Sequence, residues 1–436
     1  MNTSAYFKEQ FDLLRPMQKD NTLSLVREKA FDTFNRLGIP NARNEEWKYT
    51  HIGGLFNKEY QFPQHKATTP LSIAELAAIR LPGHENASEL FFINGLFSAP
   101  HSAIRSASLE ILPLEEAGQH AYSSIVSKYF GGSSNYQKDG IHALNTAFIQ
   151  GAVFIHVKKS QSSDHPVYIY NISDTRPGNI LSQPRSLLYI SEQAQVQVVE
   201  NYTTLGLNES FTNQVMEIIV EKDAMLEYYK IQNDSSANSQ VSTTHIHQVG
   251  KSYVHTVTIS LNGGIVRNNL HAVMDAEHAE AHAYGLYLQN GHGHLDNHTV
   301  VDHIKPNCFS NEFYKGILDG HSTGVFNGKI FVRPQAQKTN AFQSNKNILL
   351  SGTASINSKP QLEIFADDVK CSHGCTVGRL DDEGLFYLQS RGISEKIARS
   401  LLLQAFGKDI IAQVKPEPVR AYVDALISER LQLNLL

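Results

Sequence analysis

Cys371, His373 and Cys375 stand at alternating positions in the run KCSHGCT. In an extended strand, residues two apart share a face and lie about 6.5 Å apart along the chain. Two sulfur donors and an imidazole would then line one side of the backbone, a donor set suited to a thiophilic metal or an iron–sulfur species. The competing reading is structural, because free cysteine behaves as a small hydrophobe. Spacing alone leaves both readings open. Only one further cysteine, Cys308, exists in the 436 residues. Iron–sulfur clusters normally take four protein ligands, so this chain is poorly equipped to hold a cluster by itself. Any cluster it handles is expected to be transient and shared with a second chain.

Other constellations point less clearly to chemistry. Twenty histidines include His245-x-His247, His278-x-x-x-His282 and His294-x-x-x-His298. His245 and His247 would share a strand face, a spacing that zinc sites use. No HExxH motif accompanies them, and they are read as polar residues of strand faces and corners. Gly324-Val-Phe-Asn-Gly328-Lys329 has three residues between its glycines and Ile330 after the lysine. A phosphate loop needs four residues and then Ser or Thr, so ATP hydrolysis is not expected. There is no nucleophile elbow or GxGxxG. The doublets Asp367–Asp368 and Asp381–Asp382 would face opposite ways on a strand.

These residues must be positioned by elements whose signals change along the chain. Phe7, Phe11 and Leu14 recur at helical spacing and Pro16 stops that helix. Leu23, Val26, Ala30, Phe34 and Leu37 form a second stripe ended by Gly38 and Pro40. Ser72 and Glu75 make a capping box, and Asn94–Gly95 reads as a hairpin turn between two short strands. From about Gly151 to Val377 short alternating strands follow one another without helical crossovers, which excludes a βαβ fold. A sandwich, a barrel or a solenoid fits this pattern. After Gly378, Ser394 is a candidate N-cap for a helix burying Ile397, Leu401, Leu402 and Ala405. Val419, Tyr422, Val423, Leu426 and Ile427 mark a last amphipathic helix.

Composition sets the outer bounds. An apolar fraction of 41% and a charged fraction of 19% describe an ordinary globular protein. The net charge of −5 argues against nucleic acid as the main partner. No run approaches eighteen apolar residues, so no membrane span is expected. The N-terminus lacks a basic segment followed by an apolar one, as a signal peptide would have, and three cysteines form no disulfide framework. A reducing, cytoplasmic compartment is expected.

The segment Gln361–Phe406, with its KCSHG core, resembles the C-terminal signature of the SufB/SufD family of iron–sulfur cluster assembly proteins, and within it the SufD branch. Three further stretches carry the same resemblance: Arg43-Asn-Glu-Glu-Trp-Lys-Tyr-Thr50, Tyr314-Lys-Gly-Ile with Gly324–Ile330, and the Gln- and Asn-rich run 335–351. The resemblance implies a mainly β fold, a right-handed parallel β-helix core (141–378) between an N-terminal helical domain (1–140) and a C-terminal helical domain (379–436). It also implies a SufB paralogue and the ATPase SufC as partners, with SufC docking on the C-terminal helices, and a homodimer when the chain is alone. His373, with its motif neighbour Cys371, would take part in forming a nascent cluster or accepting iron at the SufB interface. No cofactor would be bound stably by the isolated chain. Cys375 stands where the family commonly has alanine and has no assigned role. The Gln- and Asn-rich run is expected to satisfy backbone groups between coils through its amides. The chain is read as a positioning partner, not a turnover enzyme. Two alternatives are a structural solenoid adaptor without cluster chemistry and a carbohydrate-active β-helix enzyme.

Overall fold

The computed structural model describes residues 3–15, 22–62 and 70–431, so the helix stop expected at Pro16 lies outside the described residues. From Gln195 onward the chain alternates strictly between two sheets. One sheet collects Gln195–Leu205, Met225–Asn233, Tyr253–Asn262, Glu280–Gln289, Phe309–Leu318, Thr339–Leu349 and Val369–Gly378. The other collects Ser210–Val220, Ser239–Gln248, Ile265–Met274, His294–His303, Thr323–Val332 and Ser355–Ile364. Neighbours within each sheet are parallel, as in Tyr253↔Glu280 and Glu280↔Phe309. This is a parallel β-helix of about eight coils, each taking about thirty residues, a solenoid period.

Register explains why strand alternation suffices to build it. Val196, Leu226, Val254, Ala281, Ser310, Ala341 and Cys371 stack in one column facing the lumen. The first sheet's inner face meets Met216, Ile218, Ile246, Ala272, Val301 and Ile330 of the second in a single buried cluster. The other half of the lumen is polar. Lys230 Nζ donates to Ser242 and Thr244 at 3.0 Å each, and Gln232 Nε2 donates to Asn268 Oδ1 at 2.9 Å. The glycine at 285 is obligatory there, since a Cβ would come within 2.2 Å of the Tyr314 ring.

One corner carries a repeat that the sequence conceals. Gln193, Asp223, His278 and Asn307 all adopt a left-handed φ of 57–61°. Each is followed by a small buried residue: Ala194, Ala224, Ala279 and Cys308. Cys308 therefore fills a slot that other coils give to alanine.

The N-terminal region is tied into both sheets. Ser88–Ile93 pairs in parallel with Val167–Asp174, and Leu109–Pro113 pairs antiparallel with Val153–Val157. The expected hairpin forms at Asn94 (φ 51°) and Gly95 (φ 84°), with Phe92 opposite Phe97. The capping box is present: Ser72 accepts from the Glu75 amide, and Glu75 accepts from the Ser72 amide. Helix Thr22–Leu37 departs from expectation. It buries Leu23, Arg27, Phe31 and Phe34, and leaves Leu37 exposed and Val26 half-buried. Arg27 turns inward because it reaches the Ile149 carbonyl at 3.1 Å and Glu115 at 2.6 Å.

The C-terminal helices are Asp382–Ser390, Glu395–Ile411 and Glu417–Arg430. Ser394 occupies the N-cap position but its side chain makes no capping bond. The buried face of Glu395–Ile411 is Ala398, Ser400, Leu403, Gly407, Ile410 and Ile411; of the stripe expected from sequence, Leu402 packs partly buried against the core. Gly407 lets this helix approach Leu286, and Lys315 Nζ donates to the Phe406 carbonyl at 2.7 Å. That docking rotates Leu401 and Ala405 away from the core. The last helix buries Val419, Val423 and Ile427 as its period requires. Among the described residues no helix is long and apolar enough to cross a membrane.

Candidate functional site

The β-helix ends on an unsealed coil. Among the described residues, strand Val369–Gly378 pairs on one side only, with Thr339–Leu349, and strand Ser355–Ile364 pairs only with Thr323–Val332. Cys371, His373 and Cys375 register on Ala341, Gln343 and Asn345, three buried lumenal residues. The expected shared face is therefore real, and it is the lumenal face of the terminal coil. Among the described residues no further coil covers it, and His373 and Cys375 are exposed while Cys371 is half-buried. Cys371 packs against the lumenal apolar cluster, and burial pushes its thiol up, against a lowering hydrogen bond with the Ala341 backbone. Cys375 Sγ lies 4.0 Å from Asn345 Oδ1. Phe342, Ile364, Phe365 and Val377 expose apolar surface on this coil and its neighbour.

Among the described residues no three His, Cys, Asp or Glu side chains converge on a metal-holding geometry, the alternating trio included. Strand spacing keeps its members about 6.5 Å apart. Cys308 does not join them. Its thiol donates to the Ala276 carbonyl at 3.2 Å, and burial pushes it up to about 11.

Beneath His373 the lumenal column continues with Gln343 and then Glu312. Gln343 Nε2 donates to Glu312 Oε2 at 2.6 Å. Burial pushes the Glu312 carboxyl up to about 7, against the lowering effect of Thr299 and Gln343. Gly328 on the facing sheet makes this possible, because a Cβ there would meet Gln343 Nε2 at 2.3 Å. Sequence reasoning reached Gln343 only as part of the amide-rich run 335–351 and passed over Glu312. A signal existed: Gln343, Asn345 and Asn347 alternate as Cys371, His373 and Cys375 do, one coil earlier. Within the run, Gln337 bonds backbone as expected, accepting from the Asp368 amide of the next coil at 2.9 Å, but Gln343, Asn345 and Asn347 serve side chains more than backbone. Asn345 Nδ2 donates to Tyr287 Oη at 3.1 Å and Asn347 Nδ2 to Asn345 Oδ1 at 2.7 Å. Contacts with the backbone of Tyr314 and Thr376 are long, at 3.4 and 3.5 Å.

The motif Arg43–Thr50 is a clip laid across four coils, exposed at Arg43–Glu46 and Lys48 and anchored by buried Trp47 and Thr50. Trp47 is buried, donates from Nε1 to Asp139 at 2.9 Å and stacks under Arg267 at 3.9 Å. Thr50 donates to Asp296 and contacts His294, Glu46 pairs with Lys329 and His298, and Glu45 reaches Lys359 on the terminal coil. Hydrogen bonds from His298 and then Lys329 hold the Glu46 carboxyl down at about 2, despite burial. A cleft of about 470 Å³ lies beside this clip. Two of its arginines are held by carboxylates: Arg333 grips Asp302 through two bonds of 2.9 and 2.8 Å, and Arg267 pairs with Asp296.

The remaining histidine patterns build faces and corners. His245 is buried on the outer face of the second sheet against the rings of Tyr136 and His271, and His247 pairs with Asp275. His278 takes a corner, and His282 pairs with Glu280. Gly324–Lys329 runs inside a strand. Asp381 is a helix N-cap, accepting from the amides of Glu383 and Gly384.

Two family models cover nearly the whole chain: the SufBD protein N-terminal region matches residues 2–169, and the SufBD core domain of SUF-system FeS cluster assembly matches residues 172–406. An iron–sulfur cluster assembly SufBD family protein of Synechocystis is 30% identical over 404 residues, covering 91% of this chain and 88% of the relative. The iron–sulfur cluster assembly protein SufD of Escherichia coli is 28% identical, covering 91% and 90%. SufD of Bacillus subtilis is 26% identical, covering 71% of each. With its parallel β-helix and matches along nearly its whole length, the chain belongs to the SufB/SufD family of iron–sulfur cluster assembly proteins.

Proposed function

We propose that this chain acts as the SufD-like subunit of a scaffold formed with a SufB paralogue and the ATPase SufC, and that His373 and Cys371 help to receive iron or a nascent cluster at the SufB interface. The observation that carries this reading is the unsealed terminal coil, which leaves the lumenal face bearing His373 and Cys375 exposed, with Cys371 half-buried beside them, near exposed apolar side chains. Exposed edge strands and apolar surface of this kind mark a protein interface. One chain supplies too few donors for a cluster, so the site is completed across that interface and its cargo is transient. The groove between the last two helices supports a second contact. It measures about 640 Å³ and is lined by Leu401, Ala405, Lys408, Arg420 and Asp424, and it suits SufC. In this arrangement ATP is hydrolysed by SufC, and the present chain binds and positions. Alone, it forms a homodimer through the same coil.

The test measures iron and acid-labile sulfide in the anaerobically reconstituted complex with SufB and SufC, comparing wild type with His373→Ala. The expected result is a large loss of both with the complex still assembled. Unchanged iron and sulfide would move the ligands onto the partner and leave this chain as an adaptor.

A further inference from the structure

The geometry points to Gln343 as the positioning residue for His373: anchored from below by Glu312, its amide carbonyl serves as the hydrogen-bond acceptor that fixes the imidazole tautomer and leaves the other ring nitrogen free for cargo. This rests on the reading of His373 given above. Register puts His373, Gln343 and Glu312 in consecutive coils of one lumenal column, so the next lumenal side chain above Gln343 is His373. The 2.6 Å bond from Gln343 Nε2 to Glu312 Oε2 commits the amine end of the amide downward. Its other end, Oε1, is buried and without a partner. A buried carbonyl of that kind is destabilising while unpaired, so the fold retains an acceptor at a cost. Gly328 clears the volume that the amide occupies.

The chemistry asks for such a group. A metal-binding histidine donates its second N–H to a carbonyl or carboxylate, which sets the tautomer and ring orientation. When a partner covers the terminal coil, an imidazole there loses water as a hydrogen-bond partner. Gln343 Oε1 is then the acceptor already in place in the adjoining coil.

The test reads the ring directly, without cargo. Full-length chain carrying ¹⁵N-histidine is examined at pH 8.5, where an imidazole is neutral, alone and with SufB. Wild type should show one dominant His373 tautomer in the complex, and Gln343→Leu should shift it toward the mixture of free imidazole. Because that variant strands Glu312 without its donor, Glu312→Leu/Gln343→Leu is made alongside, as removing both buried partners is far milder than removing one. Ferrous iron binding to the complex should weaken by about 10–100-fold in either variant. An unchanged tautomer ratio in both variants overturns the proposal, even where His373→Ala abolishes iron binding and so upholds the site. Unchanged iron in His373→Ala overturns the site reading and the ligand role of His373 with it.

Discussion

Glu312→Gln is the substitution whose effect the structure specifies most closely. The wild-type carboxyl is fully buried in the lumen, and burial raises it from 4.5 to about 7. Between about pH 4.5 and 7 the folded chain keeps a proton on Glu312 that the unfolded chain has released. The stability linked to this group is therefore fully present below pH 4.5, falls as pH rises through that window, and is gone above about 7. A shift of this size corresponds to about 3 kcal/mol. Glutamine keeps the shape and an acceptor for Gln343 Nε2 while never charging, so the variant escapes that loss. Over a β-helix of roughly 230 residues unfolding as one unit, about 3 kcal/mol raises the melting temperature by about 6 °C. The assay is paired thermal melts of variant and wild type at pH 8.5 and pH 4.5, each pair compared at its own pH. A gain confined to pH 8.5 is expected. Equal melting temperatures at both values would refute the claim that Glu312 is a desolvated, destabilising acid.

Three further outcomes are expected. Trp47→Ala removes the stack on Arg267 and the bond to Asp139; it should cost about 3–5 kcal/mol, seen as a lower urea midpoint and faster proteolytic release of the N-terminal region. His245 and His303 are pushed down by burial from 6.5 to about 4, so the unfolded chain takes up protons first and stability falls as pH drops from about 6.5 to 4. The size is about 3 kcal/mol per histidine, and His303→Asn should flatten that fall in urea midpoints at pH 7 and 4.5, whereas an unaltered slope would contradict it. Alkylation followed by mass spectrometry should label exposed Cys375 first, Cys371 more slowly because burial disfavours its thiolate, and Cys308 only on unfolding.

Much of the architecture was legible because its signals are local. The Asn94–Gly95 turn, the Ser72 capping box and the stripe Val419, Val423 and Ile427 each follow from dihedral preference or helical period within one element. Burial faces that depend on a partner element were not. Helix Glu395–Ile411 turns a different stripe inward because Gly407 and Lys315 draw it onto the β-helix, and helix Thr22–Leu37 buries Arg27 because a carbonyl and a carboxylate wait for it. The coil repeat escaped notice because its recurring element is a left-handed corner filled by Gln193, Asp223, His278 or Asn307. Their shared property is backbone conformation, which composition does not display.

At the candidate site the sequence by itself determined that Cys371, His373 and Cys375 share one face, since alternation along a strand is a property of the extended backbone alone. It also determined that the chain owns three thiols, one fewer than the four ligands a cluster normally takes. Only the tertiary structure decided that this face belongs to the lumen, that the coil carrying it is the last one, and that Gln343 and Glu312 lie beneath His373. Those facts are set by parallel register between strands about thirty residues apart, an interaction between distant segments that no local pattern encodes.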